Sequence, residues 1–221
     1  MRFDDAIARL EPLPDPLPPP LEALMPVRID GGTWRLPEAS APPTGRPAAV
    51  LVLLYPDDAG DARVVLIERP THDGHHHSGE VSFPGGKAEP GDPDAVATAL
   101  REATEEVGLD PDAAAVRVLG QLDRLWIPVS DFAVTPVVAV APRRPDMTPA
   151  PAEVVRIIEP AVATFLPDAP VVHVERMVRE WQVRYGHYEV EGLSVWGATA
   201  RILSQLGAVL ASRQAVEPPP A

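Results

Sequence analysis

Residues 85–109 read GGKAEPGDPDAVATALREATEEVGL, and this stretch decides the fold class that we expect. Residues 92–107 have the spacing of a helix, with Asp92 as the N-cap, Pro93 in the first helical position and Gly108 just beyond the end. At about 100° per residue, four apolar side chains fall on one face of this helix and predict a stripe that packs against a core. They are Val96, Leu100, Ala103 and Val107.

Three glutamates lie on another face of the same predicted helix. Glu102, Glu105 and Glu106 cluster about 130° from the apolar stripe, on a face that need not be buried. Like charges at this spacing destabilise an isolated helix by about 0.2 to 0.5 kcal/mol per pair, and the helix dipole disfavours anions in the last turn. A bound Mg²⁺ or Mn²⁺ offsets that repulsion, because hard divalent cations prefer carboxylate oxygens and are commonly shared with substrate phosphates.

The loop before the helix is suited to the same chemistry. Residues 83–86 (FPGG) form a stiff turn that ends in two residues without a β-carbon, so the backbone can pass close to a ligand and Gly86 can offer its carbonyl to a metal. Arg101 points about 100° away from Glu102 and can bind a carboxylate or a loop oxygen, which holds loop and helix together. The pattern predicts metal-assisted hydrolysis of a phosphoanhydride, with a glutamate accepting the proton of the attacking water.

These residues resemble the Nudix box, whose pattern is a glycine, five residues, a glutamate, seven residues and then R-E-apolar-x-E-E-x-G-apolar. Asp92 stands where the family has a glutamate, eight residues separate it from Arg101, and Ala103 takes the apolar place. The remaining positions agree, and they are Gly86, Arg101, Glu102, Glu105, Glu106, Gly108 and Leu109.

Within this family the chain is similar to the coenzyme A pyrophosphatases, in which GGK followed by an aspartate and TALRE is usual. That branch has a second motif of the form LLTxRSxx, then Rx3G, then x3FPGG, and residues 65–86 here read VLIERPTHDGHHHSGEVSFPGG. Leu66, Arg69, Gly79 and the FPGG segment agree, whereas Ile67, Pro70 and His75 depart from the motif. VTPVV at residues 134–138 and SVWGATARIL at residues 194–203 extend the likeness over about residues 47–210.

The resemblance implies an α/β Nudix fold, an α/β/α sandwich with a mixed β-sheet. It also implies cleavage of the diphosphate of coenzyme A or acyl-coenzyme A to 3′,5′-ADP and (acyl-)4′-phosphopantetheine. In that reading Glu102 and Glu106 are metal ligands and Glu105 is a further ligand or the proton acceptor. The candidate catalytic residues are Glu105, Arg101 and Glu102, the candidate metal ligands are Glu102, Glu106, Glu105 and Gly86, and the candidate substrate-binding residues are Arg69, Lys87, Phe83 and His77.

Composition restricts the class of protein. The 221 residues include 32 acids against 19 bases, for a net charge of −13, and no cysteine. An acidic surface repels a phosphate backbone, so we expect no nucleic-acid partner, and no apolar run predicts a membrane span. The absence of cysteine fits a cytoplasmic protein. The expected partner is a small nucleotide substrate, and homodimers are a family expectation.

The proline-rich ends frame one predicted domain. We expect an N-terminal arm over residues 1–46, with residues 12–20 extended, a Nudix domain over residues 47–212 and a flexible tail over residues 213–221. The domain's predicted strands are residues 48–55, 63–69, 116–122, 132–140, 171–174 and 178–185. Short helical turns are predicted at residues 153–158 and 160–165, and a final helix at residues 199–210.

Several alternatives stay open on the sequence alone. The substrate could be ADP-ribose or another nucleoside diphosphate derivative, or the chain could be a non-catalytic nucleotide-binding module. Glu153 is a candidate extra carboxylate or base. Histidines 72, 75, 76 and 77 lack the spacing of a zinc site, and of these His75 or His77 could donate to a phosphate. The aromatic candidates for stacking an adenine are Trp126, Trp181, Tyr185 and Trp196.

Overall fold

The structure is a computed structural model that describes residues 1–29, 45–70, 80–128, 130–178 and 181–212. The helices are α1 (Phe3–Leu10), α2 (Ala95–Val107) and α3 (Gly197–Ala211). The strands are β1 (Val27–Arg28), β2 (Arg46–Pro56), β3 (Ala62–Val64), β4 (Leu66–Glu68), β5 (Val81–Ser82), β6 (Gly85–Lys87), β7 (Arg117–Gln121), β8 (Leu125–Ile127), β9 (Phe132–Val140), β10 (Arg156–Ile158), β11 (Val172–Val178), β12 (Trp181–Val190) and β13 (Leu193–Val195). Two short 3₁₀ turns lie at Glu22–Leu24 and Val162–Phe165.

The central sheet is mixed, as the sequence predicts. Its strand order is β3-β2-β9-β7, with β6 also paired to β2 and β8 to β9. β2 and β9 run parallel, and the other pairs in this sheet are antiparallel. Both parallel strands are nearly continuous apolar runs because each is covered on two faces.

Helices cover both faces of this sheet. On one face α2 packs through Ala99, Ala103 and Val107 against Leu51 and Val137. The other face carries α1 and α3, whose apolar side chains form a second core cluster. Its helical members include Phe3, Ala6, Leu10, Ile202, Leu203 and Leu206. The predicted α/β/α sandwich is therefore confirmed.

Two smaller sheets flank the central one, and here two predictions were wrong. Residues 63–69 form two strands, because β3 pairs with β2 whereas β4 pairs with β10 and β5. Residues 156–158 form strand β10 rather than a helical turn, since Arg156 to Ile158 pair with β4. The second small sheet has the order β1-β12-β11, with β13 paired to β12.

The N-terminal residues lie on the core. Helix α1 was not predicted, yet Ala6 and Leu10 are fully buried in the cluster that contains α3. The proline-rich segment that follows contacts the same core through Leu13, Leu17 and Leu21. The domain boundary at residue 47 and the tail at 213–221 stay predictions. In the described part of the chain, every helix is too short or too polar to cross a bilayer.

Candidate active site

Local sequence sets the two ends of helix α2. The side chain of Asp94 caps its first turn by accepting a hydrogen bond from the Ala97 N–H at 2.9 Å, so Asp94 rather than the predicted Asp92 is the N-cap. Pro93 therefore precedes the helix instead of occupying its first position. Gly108 ends it with a left-handed backbone, φ +63°, as the sequence predicts.

A distant loop completes the C-terminal end of α2. The N–H groups of Thr148 and Ala150 donate to the carbonyls of Val107 and Glu106, each at 2.8 Å, and satisfy acceptors that the helix itself leaves unpaired. These bonds hold residues 148–155 against the last turn of α2. The loop thereby brings Glu153 next to the glutamates of the helix.

Glu106 is the most deeply buried acid of the site. It is 1% exposed, a burial that the helical period of the sequence did not require. Its Oε2 accepts from the Gly85 N–H at 2.8 Å and its Oε1 from Arg69 at 3.0 Å. Burial raises the pKa of Glu106 to about 7, the charges of Glu102 and Glu153 push it the same way, and Gly85 and Arg69 oppose the rise.

Glu102 lies one helical turn earlier and packs directly against Gly86. A β-carbon added to Gly86 would lie 2.6 Å from Glu102 Oε1, so only glycine allows this approach. Burial raises the pKa of Glu102, against the opposing effect of Arg101. The predicted close passage of the glycine loop is therefore present, with the carboxylate of Glu102 in contact with it.

Arg101 joins loop and helix as the sequence predicts. Its guanidinium donates to the Lys87 carbonyl at 3.0 Å, and it forms ion pairs with Glu102 at 3.1 Å and Glu105 at 3.0 Å. Its fourth partner is Asp92, bound at 3.1 Å. Arg101 is consequently a positioning residue whose four contacts set the direction of the glutamate side chains.

Asp92 has a role that its place in the motif did not reveal. Its carboxylate accepts from Arg101, from the Glu89 N–H at 2.9 Å and from Thr98 Oγ1 at 2.9 Å. The Arg101 hydrogen bond lowers the pKa of Asp92 to about 2, so the carboxylate stays charged at neutral pH. Asp92 anchors the arginine and leaves the capping of the helix to Asp94.

The remaining predicted site residues have different surroundings. Glu105 is 55% exposed and bound to Arg101, while the side chain of Lys87 is exposed. Arg69 is bound to Glu106. Phe83 is 1% exposed within the core, so the prediction that its side chain contacts substrate is wrong: it supports the loop from inside.

Other candidates are only partly described. His77 and the other histidines between residues 71 and 79 lie outside the described residues, as does the side chain of Trp181. Trp126 donates from Nε1 to Asp131 Oδ1 at 3.0 Å. Tyr185 packs on Trp196 with ring centroids 5.1 Å apart, in a tilted pair.

The arrangement presents the buried carboxylate of Glu106 and the partly buried carboxylate of Glu102 against a glycine loop, with Glu153 nearby. A family description of the NUDIX domain matches residues 45–170. The chain belongs to the Nudix family. It is 39% identical over 184 residues to Nudix hydrolase 22, chloroplastic, of Arabidopsis thaliana, a match that covers 80% of this chain and 60% of that protein.

Bacterial Nudix proteins also match. The protein named "Uncharacterized Nudix hydrolase NudL" of Pectobacterium atrosepticum is 35% identical over 184 residues, covering 78% of this chain and 90% of that protein. This chain spans only about 60% of the length of the two Arabidopsis relatives. Among solved structures, a Nudix hydrolase from M. smegmatis aligns with a TM-score of 0.45 and 22% identity, over 63% of this chain and 80% of that one. The predicted Nudix fold is confirmed by the family match.

Proposed function

We propose that the chain is a metal-dependent Nudix pyrophosphatase that hydrolyses the diphosphate of coenzyme A or an acyl-coenzyme A. The observation that carries the catalytic part is the pair Glu102 and Glu106. Glu106 is buried, Glu102 is partly buried, and burial raises the pKa of both, which is an unfavourable state for two acids one helical turn apart. A divalent cation relieves that state.

The residues fit Mg²⁺ or Mn²⁺ by their chemistry. Within the described ranges no three His, Cys, Asp or Glu side chains already surround a common point. Mg²⁺ does not need such a cage, because it keeps several waters and commonly takes one or two carboxylates together with substrate phosphates. Glu102 and Glu106 would hold the ion, and the Gly86 carbonyl is the proposed backbone ligand beside Glu102.

The proposed chemistry is cleavage of a phosphoanhydride by water. When bound, the cation neutralises the diphosphate and lowers the pKa of a water. The water oxygen forms a bond to phosphorus, the bridging P–O bond breaks, and the leaving phosphate departs as an anion. Arg101 positions the carboxylates, and Glu105 or Glu153 takes the proton of the water.

Two observations bear on the proton acceptor. Glu105 is exposed and forms an ion pair with Arg101 at 3.0 Å. Glu153 is also exposed, and its charge reaches both Glu102 and Glu106. We assign Glu105 as the acceptor or a further ligand and Glu153 as the second candidate. A cytoplasmic location and a homodimer remain predictions from the sequence.

Coenzyme A is the leading substrate because of the upstream motif. Arg69 in that motif contacts Glu106 directly, so the motif and the metal-binding helix form one structure. The test is incubation of the full chain with Mg²⁺ and coenzyme A, acetyl-coenzyme A, ADP-ribose and dinucleoside polyphosphates, with products identified by mass. Release of 3′,5′-ADP supports the proposal, turnover of only the other compounds reassigns the substrate, and no turnover with any metal indicates a binding module.

A matched pair of variants tests the metal ligand. Glu106→Gln keeps an acceptor for the Gly85 N–H but removes the charge, so we expect metal-dependent turnover to be abolished in a folded protein. Glu189→Gln removes an exposed acid from β12 and should retain wild-type turnover. Near-normal activity of Glu106→Gln would refute the assignment of this ligand.

A further inference from the structure

Arg201, on the second turn of α3, is a partly buried cation without a partner. Its Nε atom is buried and donates to no neighbour, and the guanidinium makes no hydrogen bond or ion pair within the described chain. Burial lowers the pKa of Arg201, as expected for a charge removed from water. The two terminal nitrogens are not among the buried polar atoms, so the end of the side chain reaches solvent and is accessible to a ligand, while the buried Nε stays without a hydrogen bond.

The neighbours of Arg201 on the same helical face are all engaged. Three residues further on, Ser204 Oγ accepts from the Leu21 N–H at 2.7 Å. Four residues further on, Gln205 donates to Asp123 Oδ2 at 2.6 Å and accepts from the Asp123 N–H at 3.1 Å. Asp123, on the loop between β7 and β8, is therefore bound to Gln205 and not to Arg201. The face is a polar contact surface in which Arg201 alone has no partner among these residues.

The loop that contacts α3 through Gln205 lies near the glycine loop of the active site. The loop that carries Asp123 begins at Leu122, whose N–H donates to Pro136, and Pro136, Val50 and Gly85 are in register across β9, β2 and β6. Three strand spacings of about 4.8 Å place that loop roughly 14 Å from Gly85, which is within the reach of a nucleotide.

The first turn of α3 gives a second connection to the glycine loop. Thr199 Oγ1 donates to the Val81 carbonyl at 3.0 Å, and Val81 lies on β5, the strand that leads into residues 83–86. Trp196 provides no side-chain cap for this helix, so the dipole at its start also favours an anion. Arg124, exposed beside Asp123, is a second cation without a partner in the described chain.

We propose that Arg201 binds a phosphate monoester of the substrate, separate from the diphosphate that is cleaved. An arginine fork matches a phosphate dianion in two parallel hydrogen bonds, and binding would supply the partner that the folded chain lacks. Arg69 and Arg101 each form an ion pair with a carboxylate. Arg201 is therefore the arginine that we assign to the phosphate monoester. This inference rests on the proposed function for the identity of the substrate, since coenzyme A carries a 3′-phosphate.

Binding of product fragments tests the proposal without turnover. The metal-free full chain is titrated with 3′,5′-ADP and with 5′-AMP, which differ by one phosphate. We expect the wild type to bind 3′,5′-ADP about 10- to 100-fold more tightly, and Arg201→Met to bind both alike. Arg143→Gln, which removes an exposed arginine that contacts only the Ala113 carbonyl in the described chain, should keep the wild-type preference.

Two further measurements keep the outcomes distinct. Arg201→Met should be at least as stable as the wild type without ligand, because partial burial disfavours the charge of Arg201 and no group in the described chain pairs with it, and Arg201→Lys should keep a reduced preference. Turnover of coenzyme A against dephospho-coenzyme A should show the same loss of preference, in KM rather than kcat. If coenzyme A is not cleaved, the proposed function fails while the fragment comparison still decides the role of Arg201. Equal binding of the two fragments by the wild type, or an unchanged preference in Arg201→Met, would overturn the inference.

Discussion

Replacement of Glu106 by glutamine should change how the stability of the metal-free protein depends on pH. The pKa of Glu106 rises from 4.5 to about 7 on folding, mainly because the side chain is buried. The folded state therefore holds a proton that the unfolded state releases above pH 4.5. The free energy of unfolding must fall as pH rises through this window and level off above about pH 7.

The size of the effect follows from the shift. At about 1.4 kcal/mol for each pKa unit, Glu106 should lower the free energy of unfolding by about 3 kcal/mol between pH 4.5 and 7. No discount for solvent is needed, since the side chain is 1% exposed. Glu102 adds a smaller change of the same sign because its pKa is also raised. The lowered pKa of Asp92 has the opposite effect, but at a lower pH than this window.

The assay is urea unfolding in a chelator at about pH 5 and pH 8, for the wild type and Glu106→Gln. The variant should lose most of the fall in stability, and it should be more stable than the wild type at pH 8. Glu105→Gln, at a side chain that is 55% exposed, should keep the wild-type fall. Excess Mg²⁺ at pH 8 should restore the stability of the wild type and not that of Glu106→Gln. A wild-type stability that is flat or rises over this range, or an equal fall in Glu106→Gln, would refute the reasoning.

Three further changes have definite expectations. Gly86→Ala should weaken Mg²⁺ binding by about 10- to 100-fold with little loss of stability, because its β-carbon meets only the movable end of Glu102; unchanged affinity in a metal titration would contradict this. Glu153→Gln should lower the pKa of Glu106, so that Mg²⁺ binding is lost at a lower pH than in the wild type when the pH is decreased. If binding is lost at the same pH in both proteins, the charges of Glu153 and Glu106 do not interact. Gly207→Ala should lower stability by about 1 to 3 kcal/mol or more in thermal unfolding, because its β-carbon would lie 1.9 Å from the Phe165 carbonyl oxygen, whereas Gly91→Ala meets nothing and should be neutral.

Much of helix α2 could be predicted because its determinants are local. The apolar stripe, the glycine at its end and the contacts of Arg101 follow from the period of the helix within one run of 25 residues. The N-cap was misassigned because Asp92 and Asp94 both precede the helix, and either can cap it on local grounds. Thr98 and Arg101 decide between them by engaging Asp92.

The burial of Glu106 could not be predicted in this way. It depends on Gly85 and Arg69, which reach it from β6 and from the end of β4, and on the loop that Ala150 fixes to the helix. The position of Glu153 beside Glu106 could not be predicted either, because the two residues are 47 positions apart in the sequence. Such contacts depend on which strands pair in the sheets, and the spacing of apolar residues along a helix or strand does not predict strand pairing.

The fold class, the glutamate helix and the glycine loop before it could all be recognised from the order of the residues. These features rest on side-chain period and on residues without a β-carbon, both of which are local properties. Only the tertiary structure decided which glutamate is buried, that Phe83 faces the core, that α1 belongs to the core, and that Arg201 has no partner in the described chain. Burial and pairing depend on chain segments distant in sequence, and they set the pKa values and free charges from which the chemistry follows.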